Sequence, residues 1–153
     1  MSIATVVAAI VDELRAVPGL AHAHTAPPEQ INEWPALVVY PGNGYARLNT
    51  HSDGNRGTTL AQHTLIIELH VPLKGEPEQY ETLLGFADSV PRAVFAAFAG
   101  DRMGGTVVSL GDYRQGGASA PLRWEQGASE WGGIQTRVMR FTLDVAVEEG
   151  IYL

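Results

Sequence analysis

Cysteine is absent from this sequence of 153 residues. That excludes disulfide frameworks, thiolate metal centres, dithiol redox chemistry and a cysteine nucleophile. Basic residues are scarce, ten against seventeen acidic ones, which leaves a formal net charge of -7. A chain of that sign repels a phosphate backbone unless a local patch reverses it, so nucleic-acid binding is not the first expectation. Lysine occurs once, at Lys74, and the other basic residues are arginines, a bias that interface demand and a GC-rich genome both produce. No run of eighteen apolar residues occurs, so no transmembrane helix is expected. What is present is a globular composition, 45% hydrophobic and 18% charged, which rules out a disordered or collagen-like chain. A single domain over residues 1–153 would bury about 70% of its unfolded surface, enough for a core without covalent staples.

The apolar run from Ile3 to Val11, followed by Ala21-His22-Ala23, resembles a secretory segment with a cleavage site, but no basic residue precedes it and Asp12, Glu13 and Arg15 interrupt it. Ile3, Val6, Val7, Ile10 and Leu14 instead follow the spacing of one helix face, with Ser2 as N-cap and Pro18-Gly19 as the stop. The mature chain is therefore expected to begin at or near Met1.

Leu20 to Thr25 reads as a short strand, and Ala36 to Tyr40 as a buried strand closed by Pro41-Gly42. From Gly42 to Gly57 the chain is polar and glycine-rich, a long loop or a protruding hairpin, and the first segment expected to touch a partner. Leu65, Ile67, Leu69 and Val71 alternate with period two, as in a strand with one face on the core. Glu76 to Phe98 returns to helical spacing through Leu83, Ala87, Val90, Val94 and Phe98, and Pro91 predicts a kink or a second short helix there. A strand of mixed faces is expected over Thr106 to Asp112. A loop-tipped hairpin is expected over Gly116 to Trp131, with a weak strand from Leu122 to Gln126. The last strand, Ile134 to Val147, is predicted to be half-solvated, with Met139, Phe141, Leu143, Val145 and Val147 inward and Arg140, Thr142, Asp144 and Ala146 outward. The economical arrangement is α+β: a mostly antiparallel sheet with two helices packed on one face and long protruding loops.

No catalytic constellation stands out. His22 and His24 share a strand face, but a zinc site needs three or four convergent ligands, and His51, His63 and His70 are not placed by sequence to complete one. His51-Ser52-Asp53 holds the side-chain types of a hydrolase triad, yet consecutive residues cannot form the relay. Ser119 lacks the closing glycine of a nucleophile elbow. Gly42-Asn43-Gly44 and the Gly100 to Gly105 turn lack the companions of a phosphate loop. Glu125 and Glu130 could face each other across a hairpin as an acid and base pair, or serve as solvated charges. Arg114, Arg123, Trp124 and Trp131 gather around the glycine-rich stretch, and Trp and Arg are favoured at interface hot spots, although a tryptophan there could also cap the core.

The order of these elements resembles the tail terminator, or tail completion, proteins of long-tailed bacteriophages. The resemblance is carried by the helix ending at Val17-Pro18-Gly19-Leu20, the passage from Pro27-Pro28 to Trp34-Pro35-Ala36-Leu37-Val38-Val39-Tyr40 and the long polar excursion after it. It continues through the strand Thr64 to Val71, the helix Glu76 to Phe98 and the closing segment Trp131 to Val147. It covers most of the chain and rests on size, element order and texture. It implies a virion protein, not an enzyme, with no catalytic, metal or cofactor-binding residue. The protein would be assembled in the host cytoplasm into a homo-oligomeric, six-membered ring at the head–tail junction. The ring would cap the tail tube protein, end its polymerisation and meet the head–tail connector protein, with DNA only in transit and no membrane. Subunit or tube contacts are then expected at Tyr45, Arg47, Leu48, His51 and Arg56 on one excursion and at Arg114, Arg123, Trp124 and Trp131 on the other. An acidic channel, with Asp53, Asp112, Glu125 and Glu130 as candidate linings, would keep passing DNA from sticking. Two other readings stay open: a head-to-tail adaptor or head completion protein, and a small-ligand-binding or enzymatic α+β domain with its pocket under the Gly42 to Gly57 segment.

Overall fold

A computed structural model describes residues 3–25, 28, 33–50, 56–72, 77–99, 107–111, 120–131 and 133–152. The described elements are α1 (Ile3–Arg15), β1 (His22–His24), β2 (Ala36–Thr50), β3 (Arg56–Pro72), α2 (Pro77–Ala96), β4 (Val107–Leu110), β5 (Leu122–Trp131) and β6 (Ile134–Tyr152). The chain is α+β, with two helices over a mostly antiparallel sheet. Helix α1 buries Val6, Val7, Ile10, Val11 and Leu14 along one stripe, as the spacing predicts. The helix ends at Arg15, and the turn that follows it reaches Gly19 at a positive φ of 85°, a conformation open to glycine at little cost.

Helix α2 buries Leu83, Phe86, Val90 and Val94. Of the two alternatives at Pro91, a kink or a second short helix, the second helix does not form, because α2 runs through Pro91 as one element. Val90 and Val94 flank the proline and are both fully buried, so packing of the apolar stripe outweighs the lost backbone donor.

The sheet order is β1-β2-β3-β6-β4, with β5 also paired to β6. Among the described strands only β1 and β2 run parallel. Strand β6 organises the rest. One edge pairs with β3 from Arg56 to Pro72, while the other carries β5 against 134–143 and then β4 against 145–148. Leu65, Ile67, Leu69, Val71, Met139, Phe141, Leu143 and Val145 all lie buried in one cluster with the helix stripes, Leu37 and Val39. Both helices therefore cover the same sheet face.

Four expectations need correction. First, β2 does not close at Pro41-Gly42. The register shifts between Pro41 and Gly44 and the strand continues to Thr50, because a bulge on an outer strand tolerates the missing proline donor. The polar excursion is thus the hairpin of the two alternatives, with residues 51–55 outside the described set. Secondly, β5 is not a hairpin by itself. It is one strand whose hairpin partner is β6, joined through Gly133 at φ 82°.

Thirdly, the outer face of β6 is not half-solvated along its length, since Asp144 and Ala146 are buried. The Gln62 side-chain amide reaches across β6 and donates to the Gly111 carbonyl at 2.8 Å, and Arg123 closes over Asp144 at 2.7 Å. Fourthly, Glu125 and Glu130 do not face each other. They lie on one strand, β5, five positions apart and so on opposite faces.

Candidate functional site

Two strands leave the packed core and are open to solvent on both faces. Beyond the bulge, β2 pairs with β3 on one side only, because β1 reaches no further than Val38. Ala46, Arg47 and Leu48 are exposed, Leu48 to 49%, while Tyr45 is half-buried. Arg56 begins the returning strand and is exposed. Alternation along the strand puts Tyr45 and Arg47, opposite Gln62 and Leu60, on the face away from the helices. Leu48, opposite Thr59, is on the helix face.

Gly44 is required at the base of this arm. A Cβ there would lie 2.6 Å from the Gln62 carbonyl oxygen, closer than real contacts allow, so only glycine lets β2 come back into register after the bulge.

Strand β5 is the second arm. Residues 123–128 are exposed on both of its faces. Trp124, 49% exposed, leans on Phe141 at a ring separation of 5.7 Å, and so caps the core edge while showing half of its surface to solvent. Arg123 is engaged within the chain. Its guanidinium donates to Asp144 at 2.7 Å and to the Ala120 carbonyl at 3.1 Å. Trp131 ends the strand opposite Ile134. His51, Arg114, Asp53 and Asp112 lie outside the described residues.

The strand registers separate the two arms. Arg47 is level with Leu60 of β3, whereas Glu125 is level, through Arg140, with Glu68 of β3. The arms also sit at opposite edges of the sheet. The candidate residues thus fall on two arms, Tyr45, Arg47, Leu48 and Arg56 on one and Arg123 and Trp124 on the other, where Trp131 ends the strand.

A buried polar cluster on the face away from the helices ties the roots of the arms together. Arg140 holds Glu68 Oε2 through Nε at 2.8 Å and through a terminal nitrogen at 2.7 Å. His70, fully buried, places Nδ1 3.0 Å from Thr136 Oγ1 and Nε2 3.5 Å from Glu68 Oε1. Burial pushes the Glu68 carboxyl up, but hydrogen bonds and charge from His70 and Arg140 outweigh it and hold the group down at about 2. Burial first, and then the neighbouring Glu68 charge, raises the Tyr40 hydroxyl.

An ionised, doubly held carboxylate makes a poor general acid and a good brace between β3 and β6. Sequence reasoning missed this cluster. Glu68 and His70 are the polar positions between Ile67, Leu69 and Val71 of an alternating strand, and no local pattern links them to Arg140.

Elsewhere, His22 and His24 stack at 5.4 Å, and His22 Nε2 lies 2.9 Å from Glu33. Burial first, then the charges of His22 and Arg15, lowers His24. Among the described residues no three metal-ligating side chains converge, and no helix is long and apolar enough to cross a membrane. A cavity of about 300 Å³ between α1 and α2 is bordered by Glu13, Val17, Arg92 and Ala96, and no described residue of the 42–57 segment lines it. No protein-family model matches the chain, and no curated protein matches it significantly.

Proposed function

We propose that this chain is a structural virion protein that forms a ring on the end of a phage tail tube. The ring stops tube growth and offers a surface to the head connector. The observation that carries the reading is the pair of solvent-exposed arms at opposite edges of one sheet, β2 after its bulge and β5 from Arg123 to Ala128. A closed ring needs a heterologous interface built from two different patches per subunit, and these arms supply two. The element order that resembles tail terminators supports the same reading, as does the net charge of -7, whose sign suits a channel that DNA crosses without binding. Arginines are then expected at subunit and tube contacts, where a planar fork meets carboxylates, rather than in the channel lining.

Electron microscopy of the purified protein, alone and mixed with tail tubes, tests the proposal. Rings of about six subunits seated on tube ends are expected. Rings that bind head connectors but ignore tubes would favour the head-to-tail adaptor. A monomer that never binds tubes would overturn the assembly reading and return attention to a ligand-binding or enzymatic domain.

A further inference from the structure

We infer that copies of this chain join by strand addition, the outer edge of the β2 arm of one pairing antiparallel with the outer edge of β5 of the next. The inference takes its partner, a second copy, from the ring reading. The choice of edges and register comes from the strands themselves. Among the described residues neither edge carries a partner strand: β5 pairs only with β6, and β2 beyond Val38 only with β3. Exposed edges of this length are templates for pairing with another chain unless they are blocked.

The direction is fixed by the fold. Strands β2, β3, β6 and β5 alternate up, down, up and down. A neighbour that continues the sheet with the same face toward the ring centre therefore presents its β2 antiparallel to β5.

One register satisfies both faces at once. With Arg47 opposite Glu125, both on the face away from the helices, Leu48 falls opposite Trp124, both on the helix face and each 49% exposed. The same register sets Tyr45 over Gly127, where an aromatic ring covers a strand glycine. It pairs residues 44–50 with 122–128, clear of the bulge. Slipping by one residue puts side chains on mismatched faces. Slipping by two in one direction sets Arg47 against Arg123, and in the other it loses both the charge pair and the Leu48–Trp124 contact. Because Arg47 is level with Leu60 and Glu125 with Glu68, successive sheets are staggered along the strands, and closure requires strands tilted to the ring axis, as in barrels.

The absence of cysteine makes a direct test possible. Leu48→Cys and Trp124→Cys are prepared as separate proteins, checked for folding by circular dichroism, mixed and oxidised. Within one chain these positions lie on outer strands at opposite edges of the sheet, too far apart to bridge, so any disulfide joins two chains. A covalent heterodimer is expected, well above that formed by Leu48→Cys with Ala128→Cys, which shares the face of Trp124 but is out of register.

Arg47→Glu, confined to an exposed side chain, is expected to weaken association about fivefold, with recovery when the partner carries Glu125→Arg. No selective cross-link and no charge-swap recovery would overturn the pairing. If microscopy still showed rings, the strand pairing alone would fail. If the cross-link formed but tubes were never capped, the pairing would stand and the tail-terminating role would fail.

Discussion

Arg140 grips a single oxygen of Glu68 with two of its nitrogens, at 2.7 and 2.8 Å, from the adjacent strand of the sheet. The carboxylate is buried and the guanidinium reaches solvent at its far side, so the acid depends on the base more than the reverse. Glu68→Gln is expected to cost about 1–3 kcal/mol at neutral pH, measured by urea unfolding.

The same pair fixes a pH dependence. Glu68 falls from 4.5 to about 2 in the folded chain. The unfolded state therefore binds the proton more readily, and the stabilisation, about 3 kcal/mol at most, is fully present above 4.5 and lost as pH falls toward 2. Urea midpoints taken from pH 6 to pH 2 should show the difference between wild type and Glu68→Gln shrinking over that interval. A constant difference would mean that Glu68 is not held ionised.

Phe141 is fully buried at the centre of β6, with Trp124 against it. Phe141→Ala should cost about 3–5 kcal/mol in chemical denaturation. A loss below about 1 kcal/mol would place the core elsewhere.

Gly44→Ala forces a methyl group toward the Gln62 carbonyl. An expected cost of about 1–3 kcal/mol should fall on the arm. Hydrogen exchange should speed up at amides 44–50 and 57–63 while those of 139–145 stay protected. Uniform loss across the sheet would contradict an arm that moves independently of the core.

Removing residues 49–55 takes out the end of β2 and the sequence joining it to β3, and none of the described core residues. The variant is expected to fold as a monomer and to assemble poorly in sedimentation and on tail tubes. Normal capping of tubes by this variant would take this segment out of the interface.

The packed half of this fold was legible because periodicity reports burial. Val6, Ile10 and Leu14 repeat at helical spacing, and Leu65, Ile67 and Leu69 repeat at strand spacing, and each set is buried. The arms were less legible. Glycine and proline at 41–44 read as strand breakers, and only the partner strand β3 shows that they make a bulge inside a longer strand. Residues 123–128 carry little alternation because both faces are open, so the usual signal has no burial to report. The Glu68–Arg140 brace joins distant parts of the sequence, and a single chain contains no local trace of such a contact. Of the candidate interface residues, sequence placed Arg47, Leu48 and Trp124 on segments that are in fact open, but it could not tell that Arg123 is engaged with Asp144.

Strand β6 fills one whole edge of β3 and is the last described element in the sequence. While the chain is being made, β3 therefore waits with a seventeen-residue edge uncovered until Ile134–Tyr152 has emerged. At typical synthesis rates that interval is on the order of ten seconds. Nascent chains on neighbouring ribosomes share the exposed edge over the same period, so the step most open to misassembly precedes the folded subunit. Slowing translation between α2 and β6 would lengthen that window, and raising the local density of ribosomes would fill it with competitors.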